Sequence, residues 1–182
     1  TPESAPEDVK AEILAWNQEE DATVTDGQPD AHIRTLSINV AQICNMRCTY
    51  CAAGGDGTYG AKTAQLDLEK IKGQLTMLIE RVPQGGKFSI NLIGGEPLIY
   101  PHTIRAIVDH AREIANPREV KLRFEMTTNA TLVSRENAEL LADMEAFVTV
   151  SLDGPPEQND KIRKMASGKG SEDSDKTFGH GT

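Results

Sequence analysis

The chain has 182 residues, with 19 lysines and arginines against 28 aspartates and glutamates, a net charge of −9. That length suits one domain with a buried core, and so acidic a surface repels phosphate backbones and anionic membranes, which excludes nucleic acid as a partner. No run is long and apolar enough to span a bilayer, and the opening TPESAPEDVK lacks the basic and apolar regions of a secretion signal. The expected location is therefore the cytosol, where clustered cysteines serve as metal ligands or catalysts more often than as disulfides.

Residues 1–31 read as an acidic extension rich in Pro and Asp. One short helix is expected over 7–19, carrying Val9, Ile13, Leu14 and Trp16. After it, DATVTDGQPDAH reads as a linker or surface loop, because its Asp-Gly and Pro-Asp pairs are turn signals. The main domain spans 32–170, where the pattern becomes regular. Four apolar, β-branched runs predict strands: RTLSINVA (34–41), FSINLI (88–93), KLRFEMT (121–127) and FVTVSL (147–152). Apolar residues at three-to-four spacing predict helices between them. The first covers 66–82, with Leu68, Ile71, Leu75, Leu78, Ile79 and Val82; the second covers 102–115, with Ile104, Ile107, Val108, Ala111 and Ile114. The third covers 135–144 and opens on Ser134 as its N-cap. Such alternation gives an α/β fold of parallel strands with right-handed crossovers. Four βα units fit either an open doubly wound sheet or a fragment of a barrel. The tail, 171–182, is polar and expected to be flexible.

Ligands of parallel α/β folds bind at the carboxyl ends of the strands, and the unusual residues of this chain fall there. CNMRCTYC follows the first strand, GGEP the second and TTNAT the third, while SLDGPP ends the fourth. The first group holds all three cysteines, Cys44, Cys48 and Cys51, as C-x3-C-x2-C. A structural zinc wants four protein ligands, so zinc here needs a histidine as well. A [4Fe–4S] cluster usually takes four cysteines, and three leave one iron open to a small molecule. Packing as small apolar residues is the third alternative. Taken singly, GGEP is also an ordinary turn before a helix with Pro at its first position, and Asn129 and Asp153-Gly154 are also turn formers. GGDGTYG, over 54–60, lacks the Gly-Lys-Ser/Thr of a phosphate-binding loop and is expected to wrap the chain around the cysteine site.

In combination these motifs resemble the radical S-adenosylmethionine (radical SAM) superfamily. The carriers are C-x3-C-x2-C after the first strand, aromatic Tyr50 just before the last cysteine, and GGEP at the next strand end. The resemblance covers about 34–170 and implies a (β/α)6 TIM-type barrel, of which about four units are present. It implies that Cys44, Cys48 and Cys51 ligate three irons of a [4Fe–4S] cluster, the fourth taking the amino and carboxylate groups of SAM. Tyr50 would lie near the adenine. Gly94 and Gly95 would let backbone approach the SAM ammonium, Glu96 would bind it, and Pro97 would stiffen the turn. Residues 128–131 resemble a TNGT stretch with Ala130 in place of the usual glycine, and Asn129 would hydrogen-bond the SAM ribose or carboxylate. Ser151 and Asp153 match a strand-end pair that contacts SAM. NDKIR, over 159–163, resembles H-D-x-x-R with Asn159 in place of histidine, and the planar fork of Arg163 suits the SAM carboxylate.

The implied activity is reductive cleavage of SAM to a 5′-deoxyadenosyl radical inside an apolar, water-poor barrel. It needs no catalytic residue beyond the cluster and SAM, and an electron donor such as flavodoxin or ferredoxin. The motif run is most similar to the SPASM-type branch, whose members modify peptides and proteins and carry auxiliary Fe–S clusters in a C-terminal cysteine-rich part. Here no cysteine follows Cys51, so the expectation is a piece of a longer protein. Two other readings stand beside it: a radical SAM enzyme acting on a small molecule, and a zinc or Fe–S interaction module without catalysis.

Overall fold

The computed structural model describes residues 33–51 and 66–167. The expected 7–19 helix, the loop after it, the GGDGTYG stretch and the tail lie outside the described residues. Within them run β1 (Thr35–Ala41), β2 (Met46–Cys48), α1 (Leu68–Glu80), β3 (Lys87–Gly94), α2 (Pro101–Ala115), β4 (Lys121–Thr128), α3 (Arg135–Asp143), β5 (Phe147–Val150), α4 (Pro156–Ile162) and β6 (Arg163–Met165). The four expected strands and three expected helices are all present, with ends that differ by a few residues. The first helix stops at Glu80, although Val82 beyond it is still buried. The last strand stops at Val150, and one further bond, Ser151 N–H to the Thr128 carbonyl (3.0 Å), carries the pairing to the rim.

β1, β3, β4 and β5 form one parallel sheet in that order. Each new strand adds to the same edge. A doubly wound sheet reverses its order at a switch point, so the observed progression is that of a barrel segment. One face of the sheet is apolar: Phe88, Ile90 and Leu92 alternate along β3 and are fully buried. Against them pack Leu75, Leu78 and Ile79 of α1 and Ile104, Ile107, Val108 and Ala111 of α2. Asp67 caps α1 by accepting from Lys70 N–H, and Ser134 caps α3 by accepting from Asn137 N–H at 3.2 Å, each filling one orphan donor of a helix start.

The opposite face carries many polar residues, where an apolar interior was expected. Ser37, Asn91 and Glu125 stand side by side across β1, β3 and β4, next to the row Thr35, Ser89 and Arg123. Arg123 and Glu125 form an ion pair at 2.8 Å. The reason is period-2 alternation, which puts most apolar members of β1, β3 and β4 on the helix-covered face; Ile93 and Phe147, in register with Asn39 and Glu125, are the exceptions.

A second sheet was not expected. β2 and β6 pair antiparallel, with Met46 opposite Met165, Arg47 opposite Lys164 and Cys48 opposite Arg163. Two three-residue strands, each with charged residues, carry no strand-like run. Their pairing comes from the tertiary fold.

Candidate functional site

The cysteine loop begins with an irregularity in β1. Asn39 pairs with Ile93 and Ala41 with Gly94, so Val40 is an extra residue that turns the exit of the strand. The chain then runs against the end of β3: Gly95 N–H donates to the Ala41 carbonyl at 2.6 Å and Glu96 N–H to the Ile43 carbonyl at 3.0 Å. A Cβ on Gly95 would sit 2.3 Å from the Ile43 carbonyl oxygen, and one on Gly94 2.4 Å from that of Ala41. Gly94 also holds φ +144°, where side chains are rarely accommodated. On its other side the loop is held by the residues flanking β6, through Thr49 N–H to the Ile162 carbonyl (3.0 Å) and Ala166 N–H to that of Asn45 (2.8 Å).

These contacts bring the three cysteines to one cavity of about 330 Å³. Its walls include Cys44, Cys48, Cys51, Tyr50, Gly94, Gly95, Asn129, Ser151 and Arg163. Thus nine residues singled out from the sequence, drawn from the four strand-end loops and from the start of β6, meet here. Glu96, Pro97 and Asp153 are not among the wall residues. None of the three cysteines forms a disulfide. Burial pushes the Cys44 and Cys48 thiols up, opposed at Cys44 by the Met46 N–H and at Cys48 by the Arg163 charge. A metal binding there displaces their protons.

The donor set suits an iron–sulfur cluster. Three thiols line one cavity, and soft sulfur donors of this kind are those that hold iron–sulfur clusters.

Glu96 is fully buried, and both carboxylate oxygens are engaged. Oε1 accepts from Leu98 N–H (3.1 Å) and the Thr128 hydroxyl (2.7 Å), while Oε2 accepts from Asn129 N–H (2.8 Å). The GGEP glutamate therefore ties the loop after β3 to the loop after β4. Pro97, also buried, opens the short turn Pro97–Ile99 that Glu96 caps. Ala130 holds φ +60°, a left-handed conformation costing a residue with a Cβ about 1–2 kcal/mol. That accounts for glycine being usual at this place.

Tyr50, Asp153 and Arg163 satisfy one another. The Tyr50 hydroxyl donates to Asp153 Oδ2, which raises its own pKa, and accepts from Arg163 Nη1 at 2.6 Å. Arg163, only 8% exposed, lies 3.7 Å from Asp153. Asn159, at the place of the usual histidine, accepts from Asp153 N–H at 3.3 Å and so fixes that loop. Asn45 and Thr131 also belong to the site by their hydrogen bonds to Asn129. Both lie inside quoted motifs, but nothing in their spacing marks them.

The radical SAM superfamily model matches residues 38–178. An uncharacterized protein of Methanocaldococcus jannaschii is 30% identical over 137 residues, which cover 75% of this chain and 44% of the relative. An Fe-coproporphyrin III synthase of Methanosarcina barkeri is 34% identical over 128 residues, covering 70% of this chain and 29% of that protein. A solved structure described as native anSMEcpe with bound AdoMet and Kp18Cys peptide shares the fold, with a TM-score of 0.66 and 24% identity over 76% of this chain and 37% of its own. The chain spans less than half the length of these relatives.

Two substitutions test the loop geometry. Ala130→Gly should relieve the left-handed strain and raise stability by about 1 kcal/mol, read as a higher urea midpoint; an unchanged or lower midpoint would contradict the strain. Glu96→Gln places an NH₂ against one of the three donors that Glu96 accepts, and should cost about 1–3 kcal/mol by the same measurement. An unaltered midpoint would show that the brace contributes nothing.

Proposed function

The chain belongs to the radical SAM superfamily, and from that membership we propose that it binds a [4Fe–4S] cluster through Cys44, Cys48 and Cys51, holds SAM in the adjoining cavity, and serves the modification of a peptide or protein. The observation that carries this is the meeting of three thiols, two obligatory glycines, Ser151 and Arg163 around one cavity at the carboxyl ends of parallel strands. When bound, the cluster and SAM supply one-electron cleavage of SAM to a 5′-deoxyadenosyl radical.

The chain's own residues bind and orient. Gly94 and Gly95 leave the wall bare of side chains, so a ligand approaches the backbone. Arg163 sets a positive charge beside Cys48 and offers its remaining donors to the SAM carboxylate. Glu96 makes no wall contact, but its charge is felt at Cys44 and favours an ammonium group in the cavity. Ser151 adds a hydroxyl at the end of β5. Tyr50, tethered to Asp153 and Arg163, forms a flat wall for the adenine.

The peptide reading is supported by the motif run CNMRCTYC, GGEPL, TTNATL and SLDGPP, and by the peptide held in the same fold in the anSMEcpe structure. The polar sheet face, with Ser37, Asn91, Arg123 and Glu125, supplies hydrogen-bonding groups of the kind a peptide uses. A small-molecule substrate is the second reading, favoured by the Fe-coproporphyrin III synthase relative.

The test is anaerobic reconstitution with iron and sulfide, reduction with dithionite, and quantification of 5′-deoxyadenosine formed from SAM. Cys44→Ala, Cys48→Ala and Cys51→Ala should each lower its formation at least about a hundredfold, since a cluster that usually takes four cysteines is not retained by two. Cleavage that survives all three changes would overturn the assignment. Deuterium passing from a labelled peptide into 5′-deoxyadenosine supports the peptide reading; transfer from a porphyrin and from no peptide supports the other.

A further inference from the structure

The side-chain amide of Asn129, a residue expected at the SAM site, has four hydrogen-bond partners within the chain. Its Oδ1 accepts from Thr131 N–H at 3.0 Å and from the Thr131 hydroxyl at 2.6 Å. Its Nδ2 donates to Asn45 Oδ1 at 3.0 Å and to Cys44 Sγ at 3.7 Å. A side-chain amide has two donor and two acceptor places, and the chain fills all four. The ring closes through Asn45 Nδ2, which donates to Thr131 Oγ1 at 2.7 Å. The orientation of the amide follows from this ring. The Thr131 backbone N–H can only donate, so the atom facing it must be Oδ1; Nδ2 is thereby aimed at Cys44.

We infer that Asn129, held in place by Thr131 and Asn45, is a positioning residue that donates a hydrogen bond to the Cys44 sulfur and thereby raises the reduction potential of the cluster. The inference rests on the cluster reading above. Hydrogen bonds to ligating sulfurs are among the factors that set Fe–S potentials. The reduced cluster carries one more negative charge than the oxidised one and gains more from a donor. Cys44 has a second donor in Met46 N–H, at 3.3 Å. That bond comes from the backbone and persists when Asn129 is changed, so the Asn129 contribution can be separated. The loop after β4 thus serves the cysteine loop: Glu96 fixes the Asn129 backbone, and Thr131 and Asn45 fix its side chain.

The test is an EPR-monitored redox titration of the reconstituted protein without SAM, with iron counted for each sample. Asn129→Ala should lower the midpoint while keeping the wild-type iron content. The expected fall is about tenfold in the ratio of reduced to oxidised cluster at a fixed poise, or about 59 mV for one electron. Thr131→Val, which removes the hydroxyl that orients the amide and is not a wall residue of the cavity, should lower it in the same direction by less. An unmoved midpoint in Asn129→Ala with full iron overturns the inference, most clearly if SAM binding weakens instead, which would assign Asn129 to SAM. If Asn129→Ala loses iron, Thr131→Val decides, and an unmoved midpoint there overturns it as well. A wild-type protein that takes up no cluster would overturn the cofactor reading and this inference with it. A wild-type cluster with insensitive variants would overturn this inference alone.

Discussion

The site depends on one close approach, that of the chain leaving β1 to the chain leaving β3. The Ile43 carbonyl oxygen lies where a Cβ on Gly95 would be, at 2.3 Å, and the Ala41 carbonyl oxygen has the same relation to Gly94 at 2.4 Å. No side chain fits between these strands. Because none is present, Gly95 and Glu96 donate their backbone N–H groups into the cysteine loop, and the path to Cys44 is set by the sheet. Backbone bonds of this kind hold a ligand loop more firmly than side-chain contacts, which must also order rotamers.

The remaining loops are tied to that contact. Glu96 is buried with three donors on its carboxylate. Such a group is costly to desolvate and stable only when its partners are complete, so the loops after β3 and β4 are fixed together or not at all. On the far side, the β2–β6 pairing places Cys48 beside Arg163, and Tyr50 links Arg163 to Asp153 at the end of β5. Segments more than a hundred residues apart in sequence thereby close around one cavity. Tyr50 and Asp153 already hold one end of the Arg163 guanidinium, so a ligand carboxylate would join an existing network through its remaining donors.

Much of this was legible in the sequence. The strands announce themselves by β-branched runs such as FSINLI, the helices by three-to-four spacing, and the site by three cysteines in eight residues followed by GGEP at the next strand end. The choice between a doubly wound sheet and a barrel segment was not legible, because periodicity carries no information on strand order. The β2–β6 pairing was hidden for a similar reason. MRC and RKM have no strand pattern, and they pair only because the ends of β1 and α4 deliver them to one place. Side-chain partners were the least legible. Nothing in the spacing of Glu96 and Asn129 marks their bonds to Thr128, Thr131, Asn45 and Cys44. The polar face of the sheet was in plain view as Ser37, Asn91 and Glu125, but its direction is known only once the helices choose the other face.

The central claim is that three cysteines leave one iron open for SAM. The most direct measurement is EPR of the anaerobically reconstituted, dithionite-reduced protein with and without SAM. The account predicts a single four-iron signal that changes when SAM is added. Zinc uptake without iron, or a cluster signal indifferent to SAM, would contradict it and favour a metal-bound interaction module.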